Sequence, residues 1–153
     1  MKTYYLAYGS NLNVKQMKYR CPNAKRIGKA TLNGYRLMFK GVEGCAYLTI
    51  EKDENFEVPL GVWEVNEEDM KSLDIYEGYP NFYYRKEFQI ELIRDDGDKE
   101  NIAGIAYIMW EKNKLGSPRD SYLQTCSEGY KSFGFDRKYL IDAYDYSTNK
   151  KHS

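Results

Sequence analysis

The spacing of hydrophobic positions changes several times along this chain, and each change marks an element. Residues 3–8 are β-branched, aromatic and aliphatic, which predicts a strand. The polar run 14–20 behind it predicts a helix, entered through Gly9, Ser10 and Asn11, where Ser10 and Asn11 are both good N-caps. Two short strands are expected at 26–32 and 35–40 around Asn33-Gly34, a strong hairpin-turn signal. A loop follows at 41–44, a strand at 45–50, a charged connection at 51–57 and another strand at 59–65. In that last strand Leu60, Val62 and Glu64 take one face, and Gly61, Trp63 and Val65 the other.

Asn66 is placed to cap a helix whose first turn holds Glu67, Glu68 and Asp69, matching the helix dipole. Met70, Leu73 and Glu77 then fall at spacings of three and four. At Phe82 the period drops to two. Phe82, Tyr84, Phe88, Ile90 and Leu92 share one face, and Tyr83, Arg85, Glu87, Gln89 and Glu91 the other, as in a half-buried antiparallel strand. Asp95-Asp96-Gly97-Asp98 turns the chain back, and 102–110 returns as a more buried strand. After a loop at 111–118, helices are expected at 119–131 and 137–144, the second capped by Asp136. Strands dominate early and helices close the chain. This pattern predicts an α+β fold, a small mixed or antiparallel β-barrel with helices packed outside it. Residues 1–146 read as one domain, and the polar tail 147–153 is expected to be disordered.

Composition then narrows the chemistry. Lys plus Arg and Asp plus Glu number 23 each, so no basic excess points to nucleic acid. No apolar run approaches the roughly 20 residues that cross a bilayer. Tyr8-Gly9-Ser10 also interrupts any signal-peptide core. A cytoplasmic protein without nucleic-acid or membrane partners is expected. Cys21, Cys45 and Cys126 are far apart with no CxxC pair, which argues against a disulfide framework and a structural zinc site. The one histidine, His152, lies in the polar tail. A Ser-His-Asp triad, a Cys-His dyad and a His-rich metal site are therefore excluded. An enzyme built from this chain must move protons with a carboxylate, a lysine or a tyrosine. A carboxylate does that work near neutral pH only if burial raises its pKa.

Three places are candidates for such chemistry. The strand-to-helix turn at Tyr8-Gly9-Ser10-Asn11 aims backbone N–H groups at one point, with Gly9 supplying a backbone angle that a side chain would forbid. Such a point suits a carboxylate or a developing oxyanion, although a merely capped connection has the same sequence. Glu77 stands out among the 23 acidic residues. It shares a helix face with Met70 and Leu73, Tyr76, Tyr79, Phe82, Tyr83 and Tyr84 crowd it, and Gly78 and Pro80 end the helix behind it. A raised pKa is one reading; a structural bond to a tyrosine hydroxyl or to Arg85 is the other. Tyr122, shortly after Ser117-Pro118, either points into a pocket or packs with Cys126.

These pieces lie in order along residues 4–145: Tyr5-Leu6-Ala7-Tyr8-Gly9-Ser10-Asn11-Leu12, then Leu73-Asp74-Ile75-Tyr76-Glu77-Gly78, then Ser117-Pro118 leading to Tyr122, with Gly129 and Gly134 behind it. On them the chain resembles the γ-glutamylcyclotransferase family. The resemblance implies a small barrel with flanking helices and a reaction that needs no cofactor or metal. In that reaction the α-amine of a γ-glutamyl compound attacks its own γ-carbonyl, releasing 5-oxoproline and a free amine or amino acid. It implies that Glu77 is the general acid/base and that Tyr5, Ala7, Tyr8, Gly9, Ser10, Asn11 and Leu12 hold the γ-glutamyl moiety. It implies that Tyr122 lines the substrate pocket. Gly-Ser-Asn-Leu, rather than Gly-Thr-Leu or Gly-Ser-Leu, points to the branch acting on γ-glutamyl amino acids, or to relatives that strip a γ-glutamyl group from a biosynthetic intermediate. Residues 81–85 and 112–118 are expected to shape the leaving-group pocket, in a monomer or homodimer. A non-catalytic module binding a γ-glutamyl-like or carboxylate ligand is the alternative, and another cofactor-free amide-bond enzyme is a third.

Overall fold

Five strands close into a barrel in the order β1–β3–β2–β4–β5, in a computed structural model that describes residues 2–149. They are β1 (Thr3–Ala7), β2 (Lys25–Val42), β3 (Cys45–Val65), β4 (Tyr83–Arg94) and β5 (Lys99–Met109). The helices are α1 (Val14–Arg20), α2 (Glu67–Glu77), α3 (Asp120–Phe133) and α4 (Lys138–Thr148). β1 runs antiparallel to β3 and parallel to β5, where Tyr5 pairs with Ile105. The other pairings are antiparallel, so the barrel is mixed and the fold is the α+β class that the pattern predicts. Leu6, Ile50, Leu60, Val62, Leu92 and Ile108 are among its fully buried side chains.

Four expectations are corrected here. Asn33-Gly34 does not turn the chain. β2 is one 18-residue strand, paired with β3 from Lys25↔Glu64 to Val42↔Cys45. Asn33 pairs with Glu57 and Tyr35 with Lys52, so residues 53–56 bulge out of β3 opposite Gly34. Gly34 has φ +82, a left-handed angle that serves a bulge as well as a turn. The charged run 51–57 is accordingly strand rather than connection, and it is mostly exposed. On β4, Tyr83 was expected on the solvent face but is buried. Its hydroxyl donates to Leu48 O at 2.8 Å, so this end of the strand is covered on both sides. Finally, α4 extends through Ser147 and Thr148, which the polar composition had placed in the tail. Ser147 is buried, and its Oγ accepts the Phe39 N–H at 2.8 Å. His152 lies outside the described residues.

Candidate active site

The candidate site lies where β1 ends. Tyr8 is locked there from both sides: its hydroxyl donates to Tyr107 O at 2.5 Å, and the Tyr130 hydroxyl donates to Tyr8 O at 2.8 Å. Gly9 follows with φ −127 and ψ −129, outside the regular helical and extended regions, the kind of backbone angle expected of a glycine here. Space matters as well. A Cβ at Gly9 would stand 3.3 Å from the Tyr122 hydroxyl and 3.5 Å from the Leu48 side chain. Ser10–Leu12 then form a single 3-10 turn. Its first N–H groups, at Ser10 and Asn11, have no acceptor within such a turn.

Neither Ser10 nor Asn11 caps α1, because the helix starts three residues later. Asn13 is the cap, accepting from Gln16 N at 3.1 Å. The two earlier side chains are thereby released for other work. Asn11 Nδ2 donates to the Tyr5 hydroxyl at 2.8 Å, Asn11 Oδ1 accepts from Arg20, and Asn11 O accepts from the Trp63 indole at 3.0 Å. The Ser10 and Tyr76 hydroxyls share a hydrogen bond of 2.9 Å. From behind, α3 presses on the turn through Gly129, where a Cβ would come within 2.6 Å of Asn13 N and Leu12 C.

Glu77 arrives from the opposite side, as the last residue of α2. Asn66 and Asp69 form a capping box at the start of that helix, bonding each other's N–H groups at 2.8 and 3.2 Å. At its end Gly78 turns left-handed with φ 67, and Tyr79 N donates back to Asp74 O at 2.9 Å. This places Glu77 over the turn. A cavity of about 20 Å³, enough for one water, lies between Glu77, Tyr5, Tyr8, the residues Gly9 to Asn11 and Tyr122. A wider hollow of about 330 Å³ adjoins it. Ser10, Glu77, Tyr83 and Tyr122 line both spaces.

Burial pushes the Glu77 carboxyl up to about 8, with the positive charge of Arg20 only partly opposing it. No hydrogen bond from the described residues contributes to holding the charge. The expected alternative partner, Arg85, is engaged elsewhere: its Nε donates to Asp74 Oδ1 at 3.0 Å and its Nη2 to Asp74 Oδ2. The Tyr107 hydroxyl also donates to Asp74, at 2.6 Å. Asp74, three residues before Glu77, thus takes the structural role. Burial likewise raises Tyr5, Tyr8, Tyr83 and Tyr122 well above the usual phenol value, with the Glu77 charge adding to the first three. All four remain protonated donors. The Tyr122 hydroxyl accepts the Leu48 N–H at 3.0 Å and also lies within hydrogen-bonding reach of the Cys126 thiol. Burial pushes Cys126 up to about 12, so its thiol is neutral and no nucleophile at ordinary pH.

Of the residues singled out from sequence, Tyr5, Tyr8, Gly9, Ser10, Asn11, Glu77 and Tyr122 meet around one cavity. Ala7 and Leu12 line neither space. Ala7 pairs with Gly61 in the sheet, and Leu12 is fully buried against the position where a Gly61 side chain would stand. Residues 112–118 also line neither. Asn113, Lys114 and Leu115 border a separate hollow beside α4 instead. Of the segment 81–85, Phe82 and Tyr83 line the wider hollow, while residues that pattern did not flag as site residues are Leu48, Tyr107 and Arg119. Leu48 acts through its backbone, which carries no sequence signal. Among the described residues no three His, Cys, Asp or Glu side chains gather to hold a metal, and no helix is long and apolar enough to cross a membrane.

A family model described as gamma-glutamyl cyclotransferase, AIG2-like, matches residues 5–126, a span that holds the turn, Glu77 and Tyr122. The chain is 28% identical over 142 residues to a gamma-glutamylcyclotransferase of Mus musculus, covering 88% of this chain and 73% of the relative. The Bos taurus protein of the same name gives the same identity and coverage. Among solved structures, one described as a gamma-glutamyl cyclotransferase superposes with a TM-score of 0.77 at 23% identity, covering 94% of this chain and 86% of the other. Another, a yeast gamma-glutamyl cyclotransferase specific to glutathione, gives 0.65 at 13% identity, covering 97% and 96%. At these identities the solved structures establish the shared barrel.

Proposed function

This chain belongs to the gamma-glutamyl cyclotransferase, AIG2-like family, and on that premise we propose that it converts γ-glutamyl compounds into 5-oxoproline and a free amine, with Glu77 as general acid/base. The observation that carries the reading is a carboxyl raised to about 8, without a salt-bridge partner among the described residues, facing the first turn across a small hollow.

The nucleophile belongs to the substrate. The γ-glutamyl head sits where the two spaces join, between Ser10, Glu77, Tyr83 and Tyr122. Its α-carboxylate lies against the turn that carries the Ser10 and Asn11 N–H groups. Glu77 takes one proton from the α-ammonium. The freed nitrogen attacks the γ-carbonyl carbon and closes a five-membered ring, giving a tetrahedral intermediate. Glu77 then returns the proton to the leaving nitrogen as its C–N bond breaks, and the second proton of the ring nitrogen follows through the same carboxylate, leaving a neutral lactam and an ammonium product. Atoms balance without water or a co-reactant. An α-amine has a pKa of roughly 8, so a carboxyl raised to about 8 exchanges the proton with almost no uphill step. Folding the chain of the substrate onto itself supplies the rest, since ring closure depends on proximity.

The test is 5-oxoproline formation from a panel of γ-glutamyl amino acids, followed chromatographically. Glu77→Gln abolishes turnover while circular dichroism stays native. Retained turnover in that variant removes Glu77 from its role. Ligand-induced thermal stabilisation without 5-oxoproline from any substrate makes the protein a binding module instead.

A further inference from the structure

The wider hollow is chemically lopsided. Besides Glu77, its one charged lining residue is Arg119. The remaining walls are largely aromatic and aliphatic: Tyr47, Ile75, Tyr76 and Phe82 among them. Ile75 is 83% exposed at this mouth, an unusual place for a large aliphatic side chain on an otherwise polar helix face. A volume of about 330 Å³ is at the small end for ligand pockets.

The cations near the site differ in how far they are committed. Arg20 is stacked on the Tyr76 ring at 3.3 Å and donates to Asn11 and Gln16. Arg85 is forked onto Asp74, and Lys40 is paired with Glu51. Among the described residues, the partner that engages Arg119 is the neutral Tyr47. Its Nη2 donates to the Tyr47 hydroxyl at 3.3 Å, and its guanidinium carbon lies 5.7 Å from the Tyr47 ring. No carboxylate among the described ion pairs engages it. Tyr47 steers the arm, and most of the guanidinium donors remain available. A planar fork with free donors beside aromatic walls matches a carboxylate attached to an apolar group.

Resting on the reaction proposed above, we infer that the wider hollow is the leaving-group subsite and that Arg119 sets its specificity. The preferred substrate is a γ-glutamyl α-amino acid with a bulky apolar or aromatic side chain and a free carboxylate. The side chain lies against Ile75, Tyr76 and Phe82, and the carboxylate meets Arg119. A γ-glutamylamine offers Arg119 no anion.

The test compares γ-glutamyl-phenylalanine, its C-terminal amide and γ-glutamyl-phenethylamine on the wild-type, Arg119→Lys and Arg119→Gln proteins. Arg119 is exposed, so solvent screening sets the preference for the acid in kcat/KM at roughly two- to five-fold. Wild type shows that preference, Arg119→Lys keeps part of it, and Arg119→Gln reduces the acid-to-amide ratio to near one. The same ratio is read as affinity on the Glu77→Gln protein, where no chemistry intervenes. Equal affinity of acid and amide there, or an unchanged ratio in Arg119→Gln, overturns this inference. Acid-selective binding with no 5-oxoproline from any wild-type reaction overturns the reaction and leaves the subsite standing.

Discussion

Replacing Glu77 with Gln should stabilise the fold, and the gain should depend on pH. Below pH 4.5 the carboxyl is protonated in both folded and unfolded chains, and Gln is its neutral isostere. Between 4.5 and about 8 the unfolded chain releases the proton while the folded chain holds it, so wild-type stability falls with rising pH. Above about 8 both forms are charged, and the whole cost of burying the charge is present. Each pH unit is worth about 1.4 kcal/mol, so the interval sets an upper limit of ~5 kcal/mol. Glu77 is half-buried as a residue, and screening by the solvent that reaches it brings this to roughly half. The assay is urea denaturation of both proteins at pH 4, 7 and 9. The Gln variant should match wild type at pH 4 and exceed it by about 2 kcal/mol or more at pH 9. A difference that does not change with pH means the carboxyl titrates normally, and the argument for a poised acid collapses.

Two further outcomes follow. kcat/KM should climb from pH 6 to about 8 as Glu77 loses its proton, and a flat profile over that range speaks against its role as base. Gly129→Ala should lose at least ~1–3 kcal/mol and most turnover, because the methyl meets backbone atoms of Leu12 and Asn13 at 2.6 Å. A variant with native melting temperature and rate would show that α3 does not position the turn.

How much was legible varied with the range of the interaction. The α2 helix was readable because its cap, its acidic first turn and its closing Gly78 are local signals. The phase of Glu77 followed from Met70 and Leu73. Asn33-Gly34 misled because glycine reports only that a left-handed angle is tolerated, and a bulge inside a long strand needs that angle too. Ser10 and Asn11 looked like caps since several polar residues in a row compete for the same N–H groups, and Asn13 wins. Tyr83 defeated the period-of-two reading because its partner, Leu48 O, lies 35 residues away. The competition between Asp74 and Glu77 for Arg85 was equally hidden: both are acids near one arginine, and only the path of β4 decides.

The two tyrosines that bond Leu48 have a second effect. β3 pairs there with β2 through Leu48↔Phe39, while the outward N–H and C=O of Leu48 meet phenols rather than another strand. The reactive hollow therefore borders a stretch of β3 whose second edge is covered by Tyr83 and Tyr122 rather than by a strand. Any attempt to enlarge the pocket by trimming those rings would bare an unpaired strand edge in the same stroke, trading selectivity for self-association.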